Sequence, residues 1–203
     1  MTLAKIRPAV QKAGVRRAIW VICAVCLAFA GWRAWVWKHR RAHRYDAVIR
    51  EVAAQHRLPA ELVKAVIWRE SLFDPEARGG AGELGLMQVT EAAAQEWADA
   101  RRDRQFVAGH LLHPATNLHA GCFYLAKVTR RYLRTDHPYA YALADYNAGR
   151  GNVLRWMRDG GETNASLFLA QMTYPGTREY VRAILERCPT YRADFPSSSF
   201  PAR

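Results

Sequence analysis

The sequence predicts an all-α fold with at most one small hairpin. Apolar residues recur at helical spacing through most of residues 43 to 187. Proline, threonine and asparagine stand where such runs begin, as expected for helix starts. No segment alternates apolar and polar residues convincingly as a half-buried strand does, and a hairpin fits only between Glu70 and Thr90.

The first helices of the predicted domain follow from spacing and capping. Residues 43–57 carry four apolar residues on one helix face, which are Tyr45, Val48, Ile49 and Val52. Pro59 can begin the next helix, which continues to Glu70. Thr90 can cap a third helix that extends to about residue 101.

Four more helices are predicted in the second half of the chain. They run from Thr116 or Asn117 through Leu133, from Pro138 to near Asn147, from 152 to 158 and from 177 to 187. Residues 189–203 are rich in proline and serine, so we expect them to form a poorly ordered tail.

The charge of the chain is concentrated at its amino terminus. The formal net charge is +12, but residues 1–44 hold ten Lys or Arg and no Asp or Glu. Residues 45–203 hold twenty basic and eighteen acidic side chains, a net of +2. A nucleic-acid-binding domain carries its basic patch on the folded part, so this distribution argues against a nucleic-acid partner.

The basic head flanks an apolar segment at residues 18–37. Fifteen uncharged residues precede Arg33, and Trp32, Trp35 and Trp37 cluster at one edge as in an interfacial aromatic belt. We expect a retained single-pass membrane anchor. The alternative is a signal peptide cleaved after Ala30, and both interpretations imply export.

Glu70 is the most informative residue of the chain. It shares one helix face with Val63, Val66 and Ile67, so its carboxyl group should point toward the apolar interior. Burial raises the pKa of a carboxylic acid, and an acid that is protonated near neutral pH can donate the proton that glycosidic cleavage needs. A structural Glu that hydrogen-bonds a buried backbone group is the alternative.

The segments around Glu70 resemble the lytic transglycosylases of the soluble-lytic-transglycosylase type, which share the goose-type lysozyme fold. The similarity covers roughly residues 45–188. Its motifs occur in the family's order: Glu70-Ser71-Leu72-Phe73, Gly85-Leu86-Met87-Gln88, Asn117-Leu118 with Ala120-Gly121 and Tyr124-Leu125, Tyr146-Asn147-Ala148-Gly149, and Thr177-Arg178-Glu179-Tyr180-Val181. The chain departs from the family at Gly176, where a Glu usually precedes Thr-Arg.

The resemblance implies cleavage of peptidoglycan between N-acetylmuramic acid and N-acetylglucosamine. Glu70 would act as acid and then as base while the muramyl 6-hydroxyl attacks, which yields a 1,6-anhydromuramyl end. The residues implied in substrate binding are Ser71, Met87, Gln88, Tyr146, Asn147 and Tyr180. No cofactor or metal is implied.

The predicted organisation follows from the anchor and the resemblance. It comprises a basic segment (1–17), the anchor (18–37), a basic linker (38–44), a catalytic domain (45–188) and the tail (189–203). We expect the anchor to lie in the inner membrane, with the domain in the periplasm facing glycan strands. A soluble periplasmic protein follows from the cleaved alternative.

Two other functions stay open at this stage. A hydrolysing muramidase of the same fold needs a second carboxylate, for which the candidates are Asp74, Glu76, Glu83, Glu91 and Asp145. A non-enzymatic wall-binding protein could keep the same cleft.

The histidines and cysteines offer a possible metal site and a possible disulfide. The spacing of His110, His113, His119 and Cys122 superficially suits zinc, but Pro114 interrupts it, so we expect ordinary surface and core positions. Cys122 and Cys188 can pair only if their Cα atoms lie within about 7 Å of each other.

Overall fold

The structure is a computed structural model that describes residues 6–196, with side chains described at 20–33, 36 and 39–196. Its helices are α1 (Ile6–His43), α2 (Asp46–Gln55), α3 (Ala60–Ser71), α4 (Glu91–Ala100), α5 (Pro114–Arg130), α6 (Pro138–Ala148), α7 (Arg150–Trp156), α8 (Ala165–Gln171) and α9 (Pro175–Arg192), with a 3₁₀ turn at Ala108–Leu112. The chain separates into two compact units, residues 1–44 and 45–203.

The all-α prediction is confirmed for the described part of the chain. Within residues 6–196 no strand forms, and the predicted hairpin is reduced to two isolated bridges, in which Leu84 pairs with Arg78 and with Val89. A two-bridge turn of this kind leaves most of the loop's backbone groups to be satisfied by side chains.

The amino-terminal unit is the single helix α1. The apolar side chains described at 20–33 are exposed, with Trp20 73%, Leu27 74% and Trp32 56% accessible. Among the helices of residues 6–196, none has the length and apolar character needed to cross a membrane, so the predicted span at 18–37 is not confirmed. Only fifteen uncharged residues precede Arg33, whereas a span needs about 20 apolar residues.

Helix α3 is the central element of the second unit. All eight residues from Ala60 to Ile67 are buried, which is the pattern of a helix surrounded by protein. Its most extensive neighbour is α9. The carboxyl-terminal end of α3, which carries Glu70, is therefore placed by the packing of the core rather than by a surface loop.

Lys64 is a fully buried cation in the middle of α3. Its Nζ donates to Asp46 Oδ1 at 2.6 Å and to Asp194 Oδ2 at 2.8 Å. The same Nζ lies 5.0 Å from the ring centroid of Tyr191 and 5.6 Å from that of Phe195. Because a buried charge is costly without partners, the segment after α9 is held against α3.

The predicted tail is wrong for residues 189–196. Helix α9 continues through Pro189 to Arg192, and Phe195 is 1% exposed. The proline and serine content predicted disorder. Residues 189–196 are ordered instead because Asp194 accepts a hydrogen bond from the buried Lys64 and the side chain of Phe195 is buried. The rest of the predicted tail, 197–203, lies outside the described residues.

Several helix boundaries also differ from the sequence prediction. Thr90 caps α4 as expected, accepting the N–H of Ala93 at 3.3 Å. Helix α5 begins at Pro114 rather than at Thr116 or Asn117. Helix α8 was not predicted, and Asn164 caps it by accepting the N–H of Leu167 at 3.0 Å.

The cysteines and histidines take packing positions. Cys122 and Cys188 are both free, and the sulfur of Cys122 lies 4.0 Å from Sδ of Met87. The ring of His119 stacks on that of Trp97 with centroids 6.5 Å apart, and the ring of His110 packs edge-on against Phe106 with centroids 6.0 Å apart.

Candidate active site

Glu70 lies at the end of α3, where the core meets the surface. Its side chain is partly buried, and its Oε1 accepts a hydrogen bond of 2.6 Å from the hydroxyl of Tyr180 on α9. Tyr180 is 2% exposed, so this donor is fixed in place by the core. One carboxyl oxygen is therefore held by a fixed donor.

The surroundings of Glu70 favour its neutral form. Burial raises the pKa of this carboxyl from 4.5 to about 7, and the nearby charge of Glu83 adds to the increase. The hydrogen bond from Tyr180 and the charge of Arg69 act in the opposite direction. A carboxyl group with a pKa near neutrality can give up a proton and take one back at physiological pH.

The chain turns sharply after Glu70. Leu72 and Phe73 adopt left-handed backbone angles, with φ of 50° and 65°, which are uncommon for residues other than glycine. Phe73 is 4% exposed and packs edge-on against Tyr191, with ring centroids 6.4 Å apart. The buried ring stabilises this turn, which directs residues 74–89 back toward the end of α3.

Ser71 attaches that returning loop to α3. Its hydroxyl oxygen lies 2.8 Å from the carbonyl oxygen of Leu86 and 3.2 Å from that of Ile67. The side chain therefore joins the backbone of the returning loop to α3, immediately after Glu70.

Met87 is the buried centre of the predicted Gly-Leu-Met-Gln segment. Its N–H donates to Asn117 Oδ1 at 2.8 Å, and its carbonyl oxygen accepts the hydroxyl of Tyr146 at 2.8 Å. The side chain rests on Gly121 of α5, where an added Cβ would lie 2.5 Å from Met87 Sδ. Both backbone groups of Met87 are thus satisfied by side chains from other helices.

Asn117 organises the loop, a role that neither its position in the matching motif nor its place as a candidate helix cap had indicated. It is fully buried, and its Nδ2 donates to the carbonyl oxygens of Leu84 at 2.7 Å and Leu111 at 2.9 Å. Gly85 has a φ of +74°, and a Cβ there would lie 2.4 Å from Asn117 Nδ2. The glycine is required both by its backbone angle and by this close approach.

Gln88 uses its amide inside the loop. Its Nε2 donates to the carbonyl oxygens of Gly85 at 2.9 Å and Ala77 at 3.1 Å. A Cβ on Gly79 would lie 2.8 Å from Gln88 Oε1 and 2.2 Å from Glu83 Oε2, so both oxygens pack over this glycine.

Tyr146 and Asn147, at the end of α6, join the loop and α9 around Glu70. The ring of Tyr146 lies 5.6 Å from that of Tyr124. Burial raises the pKa of Tyr146 well above its ordinary value, and the proximity of Glu70 contributes. Asn147 is exposed, and its Oδ1 accepts the hydroxyl of Thr177 at 2.8 Å.

The candidate second carboxylates differ in what they contact. Asp145 is 1% exposed, and its Oδ2 accepts from Arg131 at 2.8 Å and from Tyr132 at 2.7 Å. Asp74 accepts the N–H of Glu76 at 3.1 Å. Glu83 accepts the N–H of Ala81 at 3.0 Å, and of these candidates it is the one whose charge acts on Glu70.

Arg69 is a neighbour of the site that sequence reasoning missed. It is exposed, and its guanidinium carbon lies 5.6 Å from the ring centroid of Tyr180. The only sequence signal was its position immediately before Glu70.

A pocket of the domain lies away from Glu70. It has a volume of about 450 Å³ between the start of α3, the start of α6 and the end of α9. Glu61 and Arg192 line it, together with apolar residues such as Leu62, Leu133 and Leu185. The acid Glu70 does not line this pocket.

Comparison with known proteins gives one family and consistent relatives. The family model described as the transglycosylase SLT domain matches residues 47–169. The membrane-bound lytic murein transglycosylase C of Yersinia enterocolitica is 34% identical over 123 residues, which is 57% of this chain and 34% of that protein. The protein of the same name from Salmonella typhimurium is 34% identical over 127 residues, again 57% of this chain and 34% of that protein. The chain thus spans about a third of the length of these relatives.

Two solved structures share the fold. The 70 kDa soluble lytic transglycosylase of Escherichia coli has a TM-score of 0.68 and 26% identity, covering 76% of this chain and 25% of that one. An inactive mutant of the lytic transglycosylase Slt of Pseudomonas aeruginosa has a TM-score of 0.68 and 25% identity, covering 75% of this chain and 24% of that one.

Proposed function

Because the chain belongs to the transglycosylase SLT domain family, we propose that it is a peptidoglycan lytic transglycosylase. It cleaves the β-1,4 bond between N-acetylmuramic acid and N-acetylglucosamine and leaves a 1,6-anhydromuramyl end. The observation that carries the proposal is Glu70, a carboxyl group with a pKa of about 7 that receives a hydrogen bond from the buried Tyr180.

In the first step Glu70 protonates the glycosidic oxygen as the bond breaks. Its raised pKa keeps a large fraction of the group protonated at neutral pH. The transfer leaves a carboxylate, which the Tyr180 hydroxyl stabilises because a hydrogen bond to a charged acceptor is stronger than one to a neutral acceptor.

In the second step the same carboxylate takes the proton of the muramyl 6-hydroxyl. That oxygen attacks the anomeric carbon of its own sugar. The bond from this carbon to the leaving N-acetylglucosamine is broken, and a bond from the same carbon to the 6-oxygen of the muramyl residue is formed. The nucleophile is already attached to the reacting sugar, and such proximity supplies several kcal/mol of the barrier without an ordered water.

The remaining predicted site residues are proposed to shape the cleft and to contact the sugars. Ser71, Met87 and Gln88 build the wall formed by the returning loop, whose bonds to α3, α5 and α6 hold it rigid. Tyr146 and Asn147 form the opposite side, where the tyrosine ring orients the muramyl residue.

The rival function is hydrolysis with Glu83 as the base that orients a water. Glu83 is the candidate that acts electrostatically on Glu70, whereas Asp145 is already bonded to Arg131 and Tyr132. The carboxylate of Glu83 accepts the N–H of Ala81 within its own loop. Because this carboxylate is already engaged, we favour the transglycosylase reaction over hydrolysis.

Digestion in ¹⁸O-labelled water separates the two reactions. We expect the full-length chain in detergent to release unlabelled 1,6-anhydromuramyl ends from purified peptidoglycan, as read by mass. Labelled reducing ends would make the protein a hydrolase, and loss of the label in Glu83→Gln would then identify the base. A protein that binds glycan strands but cleaves none would be a wall-binding protein.

The matched control is Glu70→Gln. The amide has the shape of the acid but cannot supply its proton, so turnover should fall by roughly 10² to 10⁴. Wild-type turnover in this variant would remove Glu70 from the mechanism.

We also propose that residues 18–37 attach the protein to the membrane, with the domain in the periplasm. The support is the exposed apolar surface of α1, which includes Trp20, Leu27 and Trp32, followed by basic residues at the end of the helix.

A further inference from the structure

Arg69 places a positive charge beside the hydrogen bond between Tyr180 and Glu70. Its guanidinium lies 5.6 Å from the ring centroid of Tyr180, and the hydroxyl of that ring donates to Glu70. One buried phenol thus connects the acid to an exposed positive charge. A substrate that reaches Glu70 passes within range of this charge.

Arg187 and Arg131 are each held by a polar partner, whereas Arg69, among the described residues, is not. Arg187 lies 4.6 Å from the ring centroid of Trp68 and donates to the hydroxyl of Tyr191 at 3.4 Å. Arg131 pairs with Asp145. Within residues 6–196, Arg69 makes no hydrogen bond or ion pair and its side chain is exposed, so its N–H donors are available to a ligand.

We propose that Arg69 binds a carboxylate of the peptide stem on the muramyl residue being cleaved. This rests on the proposed function, since peptidoglycan is the substrate that carries such stems. A guanidinium matches a carboxylate with two parallel hydrogen bonds, and the contact with the ring of Tyr180 holds the guanidinium beside the hydrogen-bond donor of Glu70. Strands with charged stems are therefore preferred over strands with neutral stems.

Occupation of Arg69 also acts on the acid. The groups that influence Glu70 are Tyr180 on α9, Tyr146 on α6, Glu83 on the loop and Arg69 itself. Arg69 lowers the pKa of Glu70 in the free protein. A bound carboxylate offsets that charge, so the stem that is recognised also helps to keep Glu70 protonated.

The test compares two substrates that differ only in charge. One is uncrosslinked peptidoglycan with native stems, and the other is the same material with its stem carboxyl groups amidated by carbodiimide and ammonia. We measure kcat/KM for release of anhydromuramyl ends by the full-length chain in detergent. The variants are Arg69→Gln, Arg69→Lys and the control Arg182→Gln, which removes an exposed arginine from α9.

Wild type should prefer native strands by about tenfold or more, the effect of a charged hydrogen bond. Arg69→Gln should lose this preference through a lower kcat/KM on native strands alone. Arg69→Lys should keep part of it, because it retains the charge without the fork. Arg182→Gln should match wild type on both substrates.

Two results would overturn the inference while the proposed function stands. An equal loss on both substrates in Arg69→Gln would mean that Arg69 acts only through Glu70. Equal cleavage of both substrates by wild type would mean that stem charge is not recognised. If wild type cleaves neither substrate, the proposed function itself fails, and this inference fails with it.

Discussion

The hydroxyl of Tyr180 donates a hydrogen bond of 2.6 Å to Oε1 of Glu70, across 110 residues of sequence. It joins the end of α3 to the middle of α9, the most extensive helix pair of the domain. Packing of these helices therefore sets the position of the acid and the proton affinity of its carboxylate.

Tyr180→Phe should move the pH profile of cleavage toward higher pH. The hydrogen bond from Tyr180 lowers the pKa of Glu70, so its removal raises that pKa above about 7. Activity falls as pH rises through the pKa of the acid, and the alkaline limb should shift upward by about one unit or more, the value of a hydrogen bond to a charged group. The measurement is kcat against pH for both proteins. A limb that stays in place or moves downward would contradict the assignment of Glu70.

Glu70→Gln should stabilise the fold at alkaline pH. The pKa of Glu70 rises from 4.5 to about 7 on folding, so the folded state binds more protons than the unfolded state. The contribution of the protonated Glu70 to the free energy of unfolding is then fully present below pH 4.5 and is lost as pH rises through about 7. Above that range the ionised group costs roughly 3 kcal/mol, which the amide avoids.

The measurement for that prediction is urea unfolding of both proteins at pH 5 and pH 8. The stability gap between variant and wild type should widen in favour of the variant at pH 8. The control is Glu91→Gln, whose exposed carboxyl group lies in the first turn of α4. A gap that is the same at both pH values would show that Glu70 is not desolvated in the folded protein.

The orientation of Glu70 toward the interior could be predicted from the sequence because the signal is local. Val63, Val66, Ile67 and Glu70 lie within three turns of one helix, so periodicity alone places the carboxyl on the buried face. The position of Tyr180 within its motif indicated a site residue, but its partner did not follow from the motif. That contact depends on how α3 and α9 pack.

Other features depended on tertiary structure and were missed. Asn117 was a motif residue and a candidate cap, but its hydrogen bonds to the backbone of Leu84 and Met87 form only once α5 lies beside residues 84–87. Phe195 stood in a composition typical of disorder, but it packs beside the charge of the buried Lys64. Composition reports average tendencies and cannot show which single side chain a core requires.

Asn117→Ala should destabilise the domain and impair cleavage together. The change leaves the N–H of Met87 and the carbonyl oxygen of Leu111 without this partner in a buried site, while the carbonyl oxygen of Leu84 keeps its bond from the N–H of Val89. Each unsatisfied buried group costs about 1–3 kcal/mol, so we expect a loss of several kcal/mol in unfolding free energy.

The control for that change is Thr90→Ala, which removes one cap hydrogen bond and should cost about 1 kcal/mol. Stability is measured by urea unfolding, and cleavage is measured well below the transition so that only folded protein reports. Full activity in a destabilised Asn117→Ala would show that the loop keeps its shape without this side chain.

The full-length chain should fractionate with membranes, resist extraction by high salt and be released by detergent. Exposed apolar side chains on α1, among them Trp20 and Trp32, should enter the interface and the acyl region, and salt does not weaken such contacts. Attachment through the basic residues alone would instead be reversed by high salt, since screening acts on exposed charges. Replacing Trp20, Leu27 and Trp32 with serine leaves the basic residues unchanged and should release the protein from the membrane.

Amino-terminal sequencing of the mature protein separates the two forms of export. An intact first segment supports the retained anchor, whereas a protein that begins at Gly31 and stays soluble in the periplasm would show a cleaved signal peptide.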